Sequence, residues 1–176
     1  MLIKEYQKGW VNDFNAIKAV IKSNLQTINI EIEHVGSTSI EKLAAKPIID
    51  IDIIYFNQAA FDPLRKGLEQ LGYYHNGNQG IKGREVFKRQ ELKRSHQILD
   101  TIKHHLYVCP ISSEELKRHL IFRDFLRAHE KDRIKYEKLK YSIAEKANQD
   151  RKEYAKLKEV MARAFVESII ERAHNK

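Results

Sequence analysis

The sequence is poor in the residues that staple or punctuate a chain, with one cysteine, three prolines and seven glycines in 176 residues. A single thiol cannot close an internal disulfide. Cys109 lies before Pro110 at the end of an apolar stretch, which reads as a structural thiol, because a nucleophile requires an electropositive, accessible setting. No apolar run reaches the length of a membrane span and no N-terminal signal pattern is present, so a cytoplasmic protein without membrane contact is expected. There is also no internal repeat, proline-rich linker or low-complexity segment to mark a boundary, and residues 1–176 read as one domain.

What the sequence has in quantity is charge. The formal net charge is +8, unevenly placed: residues 1–75 carry 8 Lys/Arg against 9 Asp/Glu, and residues 76–176 carry 24 against 15. A field that attracts anions therefore belongs to the second half. Lys82, Arg84, Lys88, Arg89, Lys93 and Arg94 concentrate it in the basic loop 82–94, opposed only by Glu85 and Glu91. That stretch is either a solvated face or a surface for a polyanion such as nucleic acid.

Apolar periodicity supplies the elements. Phe14, Ile17, Val20, Ile21 and Leu25 recur at helical spacing over 13–26, with Trp10 packing back on the helix start. Ile28, Ile30 and Ile32 alternate with polar residues in a strand that ends near Val35. A short helical turn is expected over 39–45, stopped by Lys46-Pro47, and a second strand over 48–55. A helix over 57–71 ends at Gly72, and the glycines of 75–83 mark a loop. Strands follow at 84–89 and 101–109. From Ser112, which with Glu115 forms a capping box, the chain is helical, with a break near 128–132 and helices over 133–147 and 150–173. The class is α+β, with residues 112–176 as a helical C-terminal part.

One stretch carries chemistry: His34 to Ile54, HVGSTSIEKLAAKPIIDIDII. In Gly36-Ser37-Thr38-Ser39 the glycine permits close backbone approach, and the N–H groups and hydroxyls can bind phosphate oxygens. Lys46 is near enough in sequence to add a charge. With twelve residues between Ser37 and Asp50, Asp50 and Asp52 lie on one face of the second strand and Ile49, Ile51 and Ile53 on the other. Two carboxylates so close repel unless a cation stabilises them. Mg²⁺ is the natural candidate, since it is held by one or two carboxylates together with substrate phosphates. Taken singly, these features are a β-turn, a solvent-facing strand edge and a surface lysine. Their spacing together points to nucleotide chemistry.

Gly-Ser after a strand, about a dozen residues, then Asp-x-Asp on the next strand resembles the nucleotidyltransferase superfamily. HVGSTSIEKLAAKPIIDIDI resembles the signature of its GrpB family, with Glu41-Lys42 where that family commonly has Pro-Gly. The resemblance extends through Tyr6–Phe14, HHLYV at 104–108, FRDFLRAHE at 122–130, Tyr136, Leu139-Lys140 and Tyr154. Where the family commonly has His-Leu-His-Val, this chain keeps His105 and has Tyr107 for the second histidine. The resemblance implies a nucleotidyltransferase-like fold with a small mixed β-sheet and flanking helices. It also implies a Mg²⁺-dependent transfer of a nucleotidyl group from a nucleoside triphosphate to an unidentified acceptor. In that reading Asp50 and Asp52 hold the metal, and Gly36, Ser37, Thr38, Ser39 and Lys46 bind the nucleotide. No third acidic residue is assigned; His105 takes the equivalent place, ahead of Glu85 and Asp100. The alternative is a non-catalytic nucleotide or nucleic-acid binding module on the same scaffold, using the basic loop. A helix-mediated protein adaptor is a third reading, without a specific sequence signal.

Overall fold

The computed structural model describes residues 1–90 and 96–175. Helix α1 (Gly9–Asn24) leads into β1 (Ile30–Val35), a 3-10 turn (Ser37–Ser39) and β2 (Ile49–Tyr55). Then come α2 (Phe61–Gln70), β3 (Tyr73–His75), β4 (Glu85–Arg89), α3 (Gln97–Thr101) and β5 (His104–Pro110). The C-terminal part consists of α4 (Glu114–Ala128), α5 (Glu130–Lys146), α6 (Arg151–Met161) and α7 (Arg163–His174).

The strands form one mixed sheet in the order β1-β2-β5-β4-β3, antiparallel except for the central β2–β5 pair. The α+β class and the mixed sheet agree with the sequence reading. Ile49, Ile51 and Ile53 of β2 pack with Ile17 and Ile21 of α1 and Leu64 and Leu68 of α2 in a dry core, all seven residues fully or almost fully buried. The opposite face of β2 meets the C-terminal helices, whose own core joins Phe125, Tyr136, Ile143, Tyr154 and Ile169 to Ile40 and Leu43 from the β1–β2 connection.

Several expected boundaries move. α1 begins at Gly9, so Trp10 lies inside its first turn and is 3% exposed. The helical turn expected over 39–45 occurs earlier, at Ser37–Ser39, where Gly36 turns the chain with φ 68°. β3 was hidden in sequence because three residues show no alternation; only pairing with β4 defines it. The expected strand over 101–109 starts at His104, after the one-turn helix α3. The cap of α4 is Ser113, whose Oγ accepts from Leu116 N at 3.2 Å, one residue beyond the expected Ser112. The helix expected over 150–173 divides at the buried Ala162, where neither glycine nor proline advertises a break.

Candidate nucleotide site

β2 places Asp50 and Asp52 on the face toward the C-terminal helices. Its parallel partner puts His105 opposite Asp50 and Tyr107 opposite Asp52. The two aspartates then part company. The side chain of Asp50 is 29% exposed and lines a cavity of about 640 Å³, while that of Asp52 is wholly buried.

Asp50 has one oxygen on each side of the site. Oδ1 lies 2.8 Å from His105 Nδ1. Oδ2 faces the turn, where a methyl group on Gly36 would overlap it and stand 2.9 Å from Asp50 Cγ. Only glycine fits there, for this contact as well as for its positive φ. The turn and the first carboxylate are thus in van der Waals contact.

Asp52 Oδ2 lies 2.8 Å from Nδ1 of His119, on α4, whose Nε2 is 3.4 Å from Glu115 Oε1. Burial, the largest single influence on His119, acts to lower its pKa, but the bonds and charges of Asp52 and Glu115 together outweigh it and push the pKa up to about 9. His119 is therefore an imidazolium seated over Asp52. The other oxygen, Asp52 Oδ1, is buried without a hydrogen-bond partner among the described residues.

The turn residues divide by use. Thr38 Oγ1 donates to Ile48 O at 3.2 Å and accepts from His34 Nε2 at 3.0 Å, and Ser39 Oγ donates to Gly36 O at 2.7 Å. Both hydroxyls build the turn, whereas Gly36 and Ser37 line the cavity, as does Thr38. His34 is stacked on Phe14 at 4.7 Å, and burial drives its pKa down to about 4, so it is neutral and its Nε2 carries the hydrogen. From α4, Arg127 Nη2 donates to Ser39 O at 2.7 Å and Arg123 Nη1 to His34 O at 3.0 Å. The 122–130 stretch therefore clamps β1 and the turn.

The rest of the cavity lining is aromatic and carries charges of both signs, with Glu159 and Glu167 beside the cations and Arg118 donating to Glu167 at 2.6 Å. Lys46 Nζ lies 5.6 Å from the Tyr154 ring centroid, and Lys158 and Arg118 line the same space. Lys140 is 1% exposed and donates to Ala44 O; burial, then the nearby Lys158, holds its pKa well below the lysine range. His119 and Lys158 were not singled out in the sequence, Glu115 was read there only as a helix-capping residue and Lys140 only as part of the family resemblance. Glu115 and His119 stand four apart on one helix, a spacing compatible with a joint site but equally with an ordinary surface pair.

β5 holds no acidic residue beside the aspartates. Glu85 Oε2 is 2.6 Å from His75 Nε2 and Asp100 Oδ1 accepts from Arg89 Nε at 2.9 Å, so both weaker substitutes for a third acid are occupied elsewhere. The further carboxylates that do reach the cavity, Glu115, Glu159 and Glu167, come from helices. The basic loop is not one outward surface either. Arg84 sits 4.7 Å over the Tyr107 ring, Arg89 binds Asp100, and Glu91, Lys93 and Arg94 lie outside the described residues.

No group of three or more His, Cys, Asp or Glu able to hold a metal ion exists among the described residues. The donors present fit a different arrangement. Asp50 Oδ2, facing the Gly36 turn, would suit a Mg²⁺ that arrives with a triphosphate and takes most of its ligands from phosphate and water. Cys109 is fully buried, and burial, then Asp52, pushes its thiol up to about 12, in keeping with an inert structural role. Among the described residues no helix is long and apolar enough to cross a membrane.

A mixed sheet with a glycine turn beside an Asp-x-Asp strand defines a protein of nucleotidyltransferase-like fold. The chain covers 84% of its length on the MgATP-bound Cid1 poly(U) polymerase, at TM-score 0.57, 10% identity and 45% of that chain, a likeness of fold alone. Within that class the chain belongs to the GrpB family, whose description is GrpB protein and whose model matches residues 1–172. The crystal structure of the conserved protein GrpB from Enterococcus faecalis is similar at TM-score 0.77 and 31% identity, over 97% of this chain and 96% of that one. UPF0157 protein YqkA of Bacillus subtilis is 34% identical over 79% of this chain, which spans only 38% of that relative's length.

Proposed function

We propose that the chain is a cytoplasmic Mg²⁺-dependent nucleotidyltransferase that moves a nucleotidyl group from a nucleoside triphosphate to an acceptor. One observation carries this reading: Asp50 turns an oxygen toward Gly36 inside a cavity that Lys46 and Lys158 also line. Gly36 and Ser37 receive phosphate oxygens, Thr38 and Ser39 hold the turn in shape, and Lys46 neutralises charge. Asp50 meets the metal, with Asp52 behind it; bound there, Mg²⁺ supplies charge neutralisation at the phosphates.

His105 handles the proton. Its Nδ1–H donates to Asp50, leaving Nε2 free to accept from an acceptor hydroxyl. The acceptor oxygen bonds to the α-phosphorus, the bond from that phosphorus to the β-phosphate bridging oxygen breaks, and pyrophosphate leaves. Cid1, similar in fold, is a poly(U) polymerase seen bound to MgATP, which supports a nucleotide partner here.

A second reading, nucleotide binding without transfer, is favoured by the sealing of Asp52 under His119. Calorimetry with each nucleoside triphosphate, with and without Mg²⁺, tests the first reading, which expects metal-dependent affinity lost in Asp50→Asn. Equal affinity with and without metal would sink it. Metal-dependent binding with no pyrophosphate release from any acceptor mixture would select the second.

A further inference from the structure

A second cavity, of about 540 Å³, adjoins the first, and Ile48, His105 and Tyr107 line both. His105 is thus a shared wall. Around the second space stand Lys88 from β4, Lys103 just ahead of β5 and Arg151 from the first turn of α6. All three are exposed, and among the described residues none makes an ion pair, in contrast to the neighbouring Arg89, which is held by Asp100. Asp100 lines the same space, but it is held by Arg89; the other three cations have no ion-pair partner among the described residues and repel one another, and an anion completes such a site. The two cavities also share one field: burial is the larger cause of the lowered Lys46 pKa, and the charge of Arg151 is the next.

Size and lining narrow the ligand. The volume lies in the range of small-molecule sites. Binding of single-stranded nucleic acid relies on exposed aromatic faces for base stacking, but Tyr73 and Phe87 in this wall are 1% and 2% exposed, and the half-buried Tyr107 has Arg84 stacked 4.7 Å over its ring. We propose that this groove is the acceptor site and takes a small phosphorylated alcohol, its phosphate against Lys88, Lys103 and Arg151 and its hydroxyl beside His105. The assignment rests on the nucleotidyltransferase reading for its role. In the transfer the hydroxyl oxygen bonds to the α-phosphorus, its proton passes to His105 Nε2, and pyrophosphate departs with the electrons of the broken bond.

Calorimetric titration of ribose 5-phosphate into the full chain tests this, with and without Mg²⁺ plus a non-hydrolysable nucleoside triphosphate analogue. Binding is expected in both conditions. Lys103→Glu should weaken it by about tenfold or more, and Lys88→Glu with Arg151→Glu should remove the rest, since each loses a charge-assisted contact. The same variants should weaken binding of the nucleotide analogue by a clearly smaller factor than that of ribose 5-phosphate, since they act on it only through the shared field and not by contact. Unchanged affinity for ribose 5-phosphate in the triple variant overturns the proposal, and so does its displacement by the nucleotide analogue. A single-stranded oligonucleotide that binds through these cations when ribose 5-phosphate does not overturns the small-acceptor assignment. If ribose 5-phosphate binds through the three cations but no nucleotide binds at all, the role as acceptor site falls with the parent reading.

Discussion

The two faces of β2 treat a histidine in opposite ways, one ring buried and the other 22% exposed. On the isoleucine face His34 stacks on Phe14 and shares a hydrogen bond with Thr38, and burial takes its pKa down to about 4. On the aspartate face His119 is also withdrawn from water, yet Asp52 and Glu115 overcome the burial and bring its pKa to about 9. The same side chain is a neutral packing ring on one side of a strand and a cation on the other. What decides between them is the neighbouring carboxylate.

The sharpest way to break the contrast is to remove His119. Asp52 has one oxygen without a partner already, so His119→Ala leaves a wholly buried, uncompensated carboxylate. A loss of about 3–5 kcal/mol is expected in urea denaturation, the usual result of breaking a buried pair. Replacing both partners, Asp52→Leu with His119→Leu, should recover most of it, because the desolvation cost of the pair disappears together with its attraction. An additive double variant would show that Asp52 and His119 are not coupled.

pH separates the two histidines by sign. His34 binds its proton in the unfolded chain near pH 6.5 but in the folded chain only near pH 4. Its contribution is therefore complete above pH 6.5 and declines by about 3 kcal/mol as pH falls to 4. For His119 the folded pKa is the higher one, so its contribution is complete below pH 6.5 and is lost, by about 3 kcal/mol or less, as pH rises through 9. Stability measured against pH should be greatest between these limits. Relative to the parent chain, His34→Gln should flatten the acid limb only, and His119→Gln the alkaline limb only.

Gly36→Ala tests the contact between turn and carboxylate. The methyl group meets Asp50 and the backbone is held at φ 68°, so a loss of about 1–3 kcal/mol in thermal unfolding is expected. Nucleotide affinity should fall with it, because Asp50 must move to make room.

How far the sequence revealed this site depends on where each residue comes from. Gly36, Asp50 and Asp52 were legible because turn chemistry and strand alternation are local properties, and alternation correctly put both carboxylates on one face. It could not tell the exposed aspartate from the sealed one, since that difference is made by His119 and Glu115, more than 60 residues away along the chain. Thr38 and Ser39 looked like phosphate ligands for the same reason: the carbonyls of Ile48 and Gly36 that occupy their hydroxyls are set by the folded turn. The long C-terminal helices were legible from their apolar stripes. The three-residue β3 and the division at Ala162 were not, because each is fixed by packing without a local punctuating residue.

The smallest structural effect sharpens the comparison most. Asp50 and His105 make a carboxylate–imidazole pair at 2.8 Å, the distance found between Asp52 and His119, but their side chains are 29% and 50% exposed. Water screens such a pair, so His105→Ala should change stability by no more than about 1 kcal/mol. If His105 takes the acceptor proton, the same substitution should slow nucleotidyl transfer by about 10²–10⁴-fold while metal-dependent nucleotide binding persists. Pyrophosphate release beside a urea titration of one preparation reads both quantities. A large stability loss with unchanged transfer would make this pair a second structural clasp like Asp52–His119. A stable chain that binds nucleotide but no longer turns over would instead assign the two carboxylates of one strand to different tasks, Asp52 to joining the helical part to the sheet and Asp50 to the chemistry.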